Sequence, residues 1–133
     1  MQSRITACIV ACAFLYLTGC GSSGPTLHEV TGKVTYDGEP IEVGEIIFEK
    51  VPAGSGVDAG GIKKGSFKVA VKDGTHIVRI NGIKAFPLGP GDKAIADEKE
   101  INKQFLPKKY NADSTTQIEV HAPTKRDFEL TSK

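Results

Sequence analysis

The sequence predicts an all-β fold, an antiparallel β-sandwich of about seven strands, and three observations predict it. From residue 28 onward, apolar residues recur in alternation along short runs, the period of a half-buried strand. The runs follow one another at intervals of about ten residues and are punctuated by Gly, Asp and Pro. The chain has 133 residues, 39% of them hydrophobic, which suits one domain with a modest core and is too little for a multispan membrane protein.

In the first run Val30, Gly32, Val34 and Tyr36 share one face while Thr31, Lys33 and Thr35 share the other, and Asp37-Gly38 supplies a turn. The second, Val43 to Val51, carries Ile46, Ile47 and Phe48 in succession, so it is either covered on both faces or interrupted by a bulge. A loop, Val51-Pro52-Ala53-Gly54-Ser55-Gly56, ends it. Val57 to Lys63 and Ser66 to Lys72 read as a hairpin through Lys64-Gly65, with Phe67, Val69 and Val71 on one face. Asp73-Gly74 makes another tight turn into His76 to Ile83, where Val78 and Ile80 share a side. Thr116, Ile118 and Val120 alternate in the next run and Phe128 and Leu130 in the last, separated by Ala122-Pro123-Thr124. Such a series favours a sandwich of immunoglobulin-like or transthyretin-like type, with a small barrel as the structural alternative, because periodicity does not say whether a sheet closes.

Lys84 to Ser114 breaks the rhythm. These 31 residues are more than a structureless loop occupies in a compact domain. Ala94 to Phe105 fits a short helix behind Asp92 as cap, with Ile101 and Phe105 one turn apart. The alternatives are a surface excursion pinned by Phe86, Phe105, Leu106 and Tyr110, or a binding loop.

Residues 1–19 read as a signal peptide. Arg4 is the only charge before an uncharged, largely apolar run from Ile5 to Leu17. At 1.5 Å per residue this run gives roughly 20 Å of helix against a hydrocarbon core of about 30 Å, too short to span. Leu17-Thr18-Gly19-Cys20 then resembles the bacterial lipobox, whose cysteine receives a diacylglyceryl thioether and becomes the new N-terminus; an ordinary secretory signal cut near Gly21 is the plainer alternative. One acyl chain binds a membrane only marginally, so the two or three chains of a bacterial lipoprotein make the anchor firm. Residues 20–27 form a lipidated tether, and Gly21 to Thr26 reaches only roughly 20 Å at about 3.3 Å per residue. Residues 28–133 are the domain, with its excursion at 84–114.

Seventeen Lys and Arg face sixteen Asp and Glu, a formal charge of +1, so no basic field draws the chain to nucleic acid. Removing the first nineteen of 133 residues leaves 114, takes Arg4 with it and brings the side-chain balance to zero. Of the three cysteines, Cys8 and Cys12 leave as well, and Cys20 is committed to lipid. The mature domain therefore relies on burial and strand pairing without a disulfide, and thiol catalysis and a cysteine zinc cluster are excluded.

Two stretches carry a family resemblance. Val30-Thr31-Gly32-Lys33-Val34-Thr35-Tyr36-Asp37-Gly38-Glu39-Pro40-Ile41, followed by Gly44-Glu45-Ile46-Ile47-Phe48, resembles the opening of carboxypeptidase regulatory-like, transthyretin-related domains. Leu106-Pro107-Lys108-Lys109-Tyr110-Asn111, with Ser114-Thr115 and Thr116-Gln117-Ile118-Glu119-Val120 after it and Arg126-Asp127-Phe128-Glu129-Leu130 at the end, is similar to small lipobox-bearing exported proteins of planctomycete bacteria. The resemblance implies a small β-sandwich in the cell envelope, usually without an established activity. It departs at Lys64-Gly65, where Asp-Gly is more typical, and the central excursion matches no pattern. Hydrolases of 5-hydroxyisourate are the enzyme alternative for such a domain, but they end in a Tyr-Arg-Gly-Ser stretch where this chain reads Leu130-Thr131-Ser132-Lys133.

The inventory for chemistry is thin. His28, His76 and His121 stand in separate strands or strand ends, and no catalytic or phosphate-binding signature occurs. Histidines more than about 10 Å apart would lie beyond shared ligation of a metal. Asp58, Asp92, Asp97 and Asp113 lack calcium-loop spacing and read as turn and cap residues. An isopeptide between Lys33 and the last strand would need a partner there, and only Asp127 and Glu129 are offered. Lys108-Lys109 and Lys125-Arg126 read as a solvated face diluted by Glu119, Asp127 and Glu129. No catalytic, cofactor-binding or metal-ligating residue is expected, and Cys20 is the one modification site. The expected function is a membrane-tethered, non-enzymatic binding or structural module of the bacterial envelope. Its partners are the membrane and an envelope protein or polysaccharide, and its alternative is an envelope hydrolase or carbohydrate-binding protein with its site in the excursion.

Overall fold

A computed structural model of the chain describes residues 24–91 and 99–133. The expected signal peptide, Cys20 and residues 20–23 of the expected tether lie outside the described residues, as does the 94–98 part of the expected helix. Among the described residues ten strands form one curved, predominantly antiparallel sheet, a half-barrel with sandwich-like packing, and there is no α-helix.

Alternation builds the frame. In β1 (Leu27–Tyr36) Val30 and Val34 are fully buried, and in β3 (Val43–Lys50) so are Ile46 and Phe48. The register of β3 runs unbroken from Val43 to Lys50 against β6, so there is neither a bulge nor a second buried face. Ile47 lies on the outer face, opposite Ala59 and Arg79, and is half-buried. β4 (Val57–Lys63) and β5 (Ser66–Lys72) meet through Lys64-Gly65 as expected, and β5 buries Phe67, Val69 and Val71. Both residues of this turn have positive φ, 49° and 71°, as do Asp37 and Gly38, at 51° and 86°. This left-handed pair suits the twist of flanking strands, but a lysine tolerates it poorly. Lys64 is exposed, so Lys64→Asn is expected to stabilise the protein by about 0.5–1 kcal/mol, read as a rise in urea midpoint at constant m.

The turn at Asp73 is not a hairpin. The order β10–β1–β5–β4–β3–β6–β7 separates β5 from β6, and the bend at Asp73-Gly74 carries the chain from one side of the half-barrel to the other. β6 (Gly74–Pro87) runs four residues beyond the Ile83 at which its alternation ends in the sequence. β7 (Glu100–Gln104) returns along it, so the end of the expected 94–105 helix is a strand. Residues 84–87 and 100–104 thus pair as the two antiparallel strands of an arm. Leu106, Phe105 and Tyr110 pack on the core as pins, while Phe86 stays 36% exposed.

The C-terminal chain bridges the two borders of the sheet. β8 (Gln117–Val120) lies on the start of β6, and β9 (Thr124–Lys125) and β10 (Phe128–Leu130) lie parallel on β1, beside the short β2 (Glu39–Pro40). Parallel pairing at this border departs from the purely antiparallel expectation. The C-terminal strands together bury Ile118, Val120, Phe128 and Leu130 in the core.

Candidate functional site

The half-barrel has two ends, and each gathers a different chemistry. At one, β1 finishes at Tyr36 and the arm of β6 and β7 projects past the core. Between them lies an open groove of about 330 Å³. Tyr36 and Phe105 meet edge to face with centroids 5.6 Å apart, Pro40 and Ile41 form the opposite wall, and Ile83 lies at the base of the arm. Glu39, Glu42 and Lys84 are the charged groups of its lining. The ring of Phe105 reaches this position because residue 82 is glycine: a Cβ there would stand 2.7 Å from the ring. The groove continues as an apolar strip on the outer face, where Val43 pairs with Ile83; they are 55% and 42% exposed. This volume is at the small end of what ligand sites occupy.

The last ten residues of the 84–114 excursion do structural work. A single 3₁₀ turn at Lys108–Tyr110 sits in a strap, residues 105–116, laid along β6 between β7 and β8. The Tyr110 hydroxyl donates to the carbonyl of Thr131 at 3.0 Å and accepts from its N–H at 2.8 Å. Asn111 Nδ2 donates to the carbonyls of Leu106 and Pro107, and the Ser114 hydroxyl, buried, donates to Val78 at 2.5 Å. Arg79, from β6, donates to the carbonyls of Asn111 and Ala112 at 2.6 and 2.7 Å and to Glu49 at 2.9 Å. The motif Leu-Pro-Lys-Lys-Tyr-Asn is therefore a fastening.

At the other end two histidines converge. His28 of β1 lies 3.1 Å from Asp73 Oδ2 through Nε2, and His121, just after β8, lies 3.1 and 3.2 Å from the two Asp73 oxygens through Nδ1. Each ring nitrogen donates to the carboxylate. The hydrogen bond from His121, with that from His28 and against some desolvation, holds the Asp73 carboxyl below its ordinary range. His76 stands apart from this carboxylate, fully buried in β6. Among the described residues no group of three His, Cys, Asp or Glu is arranged to hold a metal ion.

The remaining candidates are accounted for locally. Asp58 pairs with the Lys72 ammonium and accepts the Lys72 N–H at 2.9 Å; burial raises its pKa, but these bonds outweigh burial and lower it. Asp127 accepts the backbone N–H of Lys33 at 2.8 Å, and Lys33 is exposed, so the geometry is that of a strand-edge bond and not of an isopeptide. Lys109 reaches the carbonyl of Lys133 and lies over the Tyr110 ring, and Lys108, Lys125 and Arg126 are exposed. Asp92 and Asp97 lie outside the described residues. Sequence reasoning missed both the groove, made of residues from three distant segments, and the role of Asp73, 45 residues from His28 and 48 from His121.

Fold and groove together define an all-β half-barrel module with an open apolar site at one end. No family model matches the chain. No curated protein matches it either. A solved 9R-lipoxygenase from Cyanothece PCC8801 is similar over 79% of this chain and 16% of its own length, at 12% identity and a TM-score of 0.32, a likeness that carries no argument about fold or activity.

Proposed function

We propose that this chain is a non-enzymatic binding or structural module of the bacterial cell envelope, anchored to a membrane by lipid on Cys20 and presenting the Tyr36–Phe105 groove to an envelope protein or polysaccharide. One observation carries the reading, the polarity of β1. The tether enters at Leu27 and the groove lies at Tyr36, so the length of the strand, roughly 30 Å, holds the groove away from the membrane. The lipobox and the resemblance to exported planctomycete lipoproteins with a carboxypeptidase regulatory-like domain support the same location. Tyr110, Asn111 and Ser114 of the strap are taken up in fastening, and the groove and the arm beside it offer the surface for a ligand.

Two arms of one experiment test it. Cys20→Ala is expected to move the protein from membrane to soluble fractions and to abolish incorporation of labelled fatty acid; a variant that stays with membranes overturns the anchor. A photocrosslinking amino acid at Ile83 should yield a discrete adduct in intact envelopes that Val43→Glu removes. The same probe at Lys68, on the exposed face of β5, should yield none. Equal labelling at both positions, or none at Ile83, overturns the binding site.

A further inference from the structure

The tether-side end contains a buried imidazole with one ring nitrogen unpaired among the described residues. His76 points into the core from β6 and meets Phe48 edge-on, with centroids 6.4 Å apart. Its Nδ1 lies 3.1 Å from the carbonyl of Gly74, which only accepts, so Nδ1 carries the proton. Nε2 is left as a bare lone pair, buried and without a partner among the described residues. Charged groups act on the ring from three strands: Lys50 of β3, opposite it in the register, Asp58 of β4 and Lys72 of β5. Asp58 and Lys72 are paired with each other, and β8 places Ile118 across from His76.

We propose that this end of the half-barrel is an acid-sensitive latch: a proton taken up at His76 Nε2 opens the junction between the end of β3 and the start of β6, while the clasp of His28 and His121 on Asp73 keeps β1 and the β8–β9 crossover seated. A proton on Nε2 places a cation in apolar surroundings with no acceptor for its new N–H, and such a cation is expelled toward water. Parting Lys50 and Val51 from β6, to which they are bound through the His76 register and the Val51 N–H to Thr75 carbonyl bond at 2.9 Å, lets the ring out.

Burial, the largest influence, pushes the His76 imidazole below its ordinary 6.5; the Gly74 bond and Asp58 oppose this, and Lys50 and Lys72 add to it. The opened form therefore binds the proton first. The stability His76 contributes is complete above 6.5 and is lost as pH falls below it. Asp73 behaves differently. Its contribution is present above the ordinary carboxylate range and fails only as pH falls through its lowered value, so the clasp outlasts the latch.

Hydrogen exchange on the wild-type protein, corrected for intrinsic rates, tests the proposal between pH 7 and 5. The Val51 amide is expected to lose up to about tenfold in protection per pH unit, the signature of one linked proton. The Asp73 amide, bonded to the Thr26 carbonyl at 3.0 Å, and the Val34 amide at the groove end should keep theirs. In His76→Leu the pH dependence at Val51 should vanish. Constant protection at Val51 in the wild type overturns the latch, as does a loss shared equally by Val34 and Asp73 or a loss that persists in His76→Leu. The wild-type comparison decides the matter even if the variant does not fold.

Discussion

Gly32→Ala is expected to destabilise the protein by about 3 kcal/mol and to detach its C-terminal strands. A Cβ at position 32 would stand 1.8 Å from the carbonyl oxygen of Arg126 and 2.6 Å from its carbon, with the Phe67 ring at 3.1 Å on another side. The first two are backbone atoms, so no rotamer change relieves the overlap. The carbonyl is held there by the Arg126 N–H to Thr31 carbonyl bond at 2.8 Å and by the Lys33 N–H to Asp127 bond next to it. To admit a methyl group, β9 and β10 must move off β1, which exposes Phe128 and Leu130 and withdraws Thr131 from Tyr110. Urea denaturation should show a large fall in midpoint, and limited proteolysis should remove the C-terminus first. A Gly32→Ala protein that melts within about 2 °C of wild type would show that the parallel border contributes little.

Gly32 also shows what was legible. It sits in an inward position of a regularly alternating strand, where a glycine weakens pairing and marks close approach by another backbone; the sequence carries that signal without naming the partner. The same division holds along the chain. β1, β3, β4, β5, β8 and β10 are readable because each buries one face, and burial writes period two into the residues. The extension of β6 through Lys84, Ala85, Phe86 and Pro87 is not readable, since all four are exposed and no burial imposes a pattern. β7, Glu-Ile-Asn-Lys-Gln, is a polar strand paired to that arm, and the spacing of Ile101 and Phe105 imitates a helical turn. Nor does period two say which strands neighbour each other, so the tight turn read at Asp73-Gly74 proves to be a crossing between non-adjacent strands. The histidine clasp follows from that crossing and from the path of β8 into β9, which only the assembled sheet provides.

Arg79→Ala is expected to cost about 2–3 kcal/mol, less than the sum of its hydrogen bonds taken singly. Hydrogen bonds from a charged donor contribute about 1.5–3 kcal/mol each, but a loosened strap would return the carbonyls of Asn111 and Ala112 to water. The partner Glu49 is a quarter exposed, so Glu49→Gln alone should cost only about 0–1 kcal/mol. Arg79→Lys should not rescue, because one ammonium lacks the planar fork that serves a carboxylate on one side and two carbonyls on the other. Without Arg79 the strap keeps Tyr110 and Ser114 as fastenings, and the exposed Lys108-Lys109 just before Tyr110 becomes the first tryptic site. The strap begins at Phe105, which walls the groove, and at the buried Leu106, so loosening it should also lower crosslinking from Ile83 although Arg79 is no part of the groove's lining. Tryptic resistance equal to wild type would show that Tyr110 and Ser114 suffice. Faster cleavage with undiminished crosslinking would separate strap from groove and leave Gly82, which admits the Phe105 ring, as what sets the shape of the site.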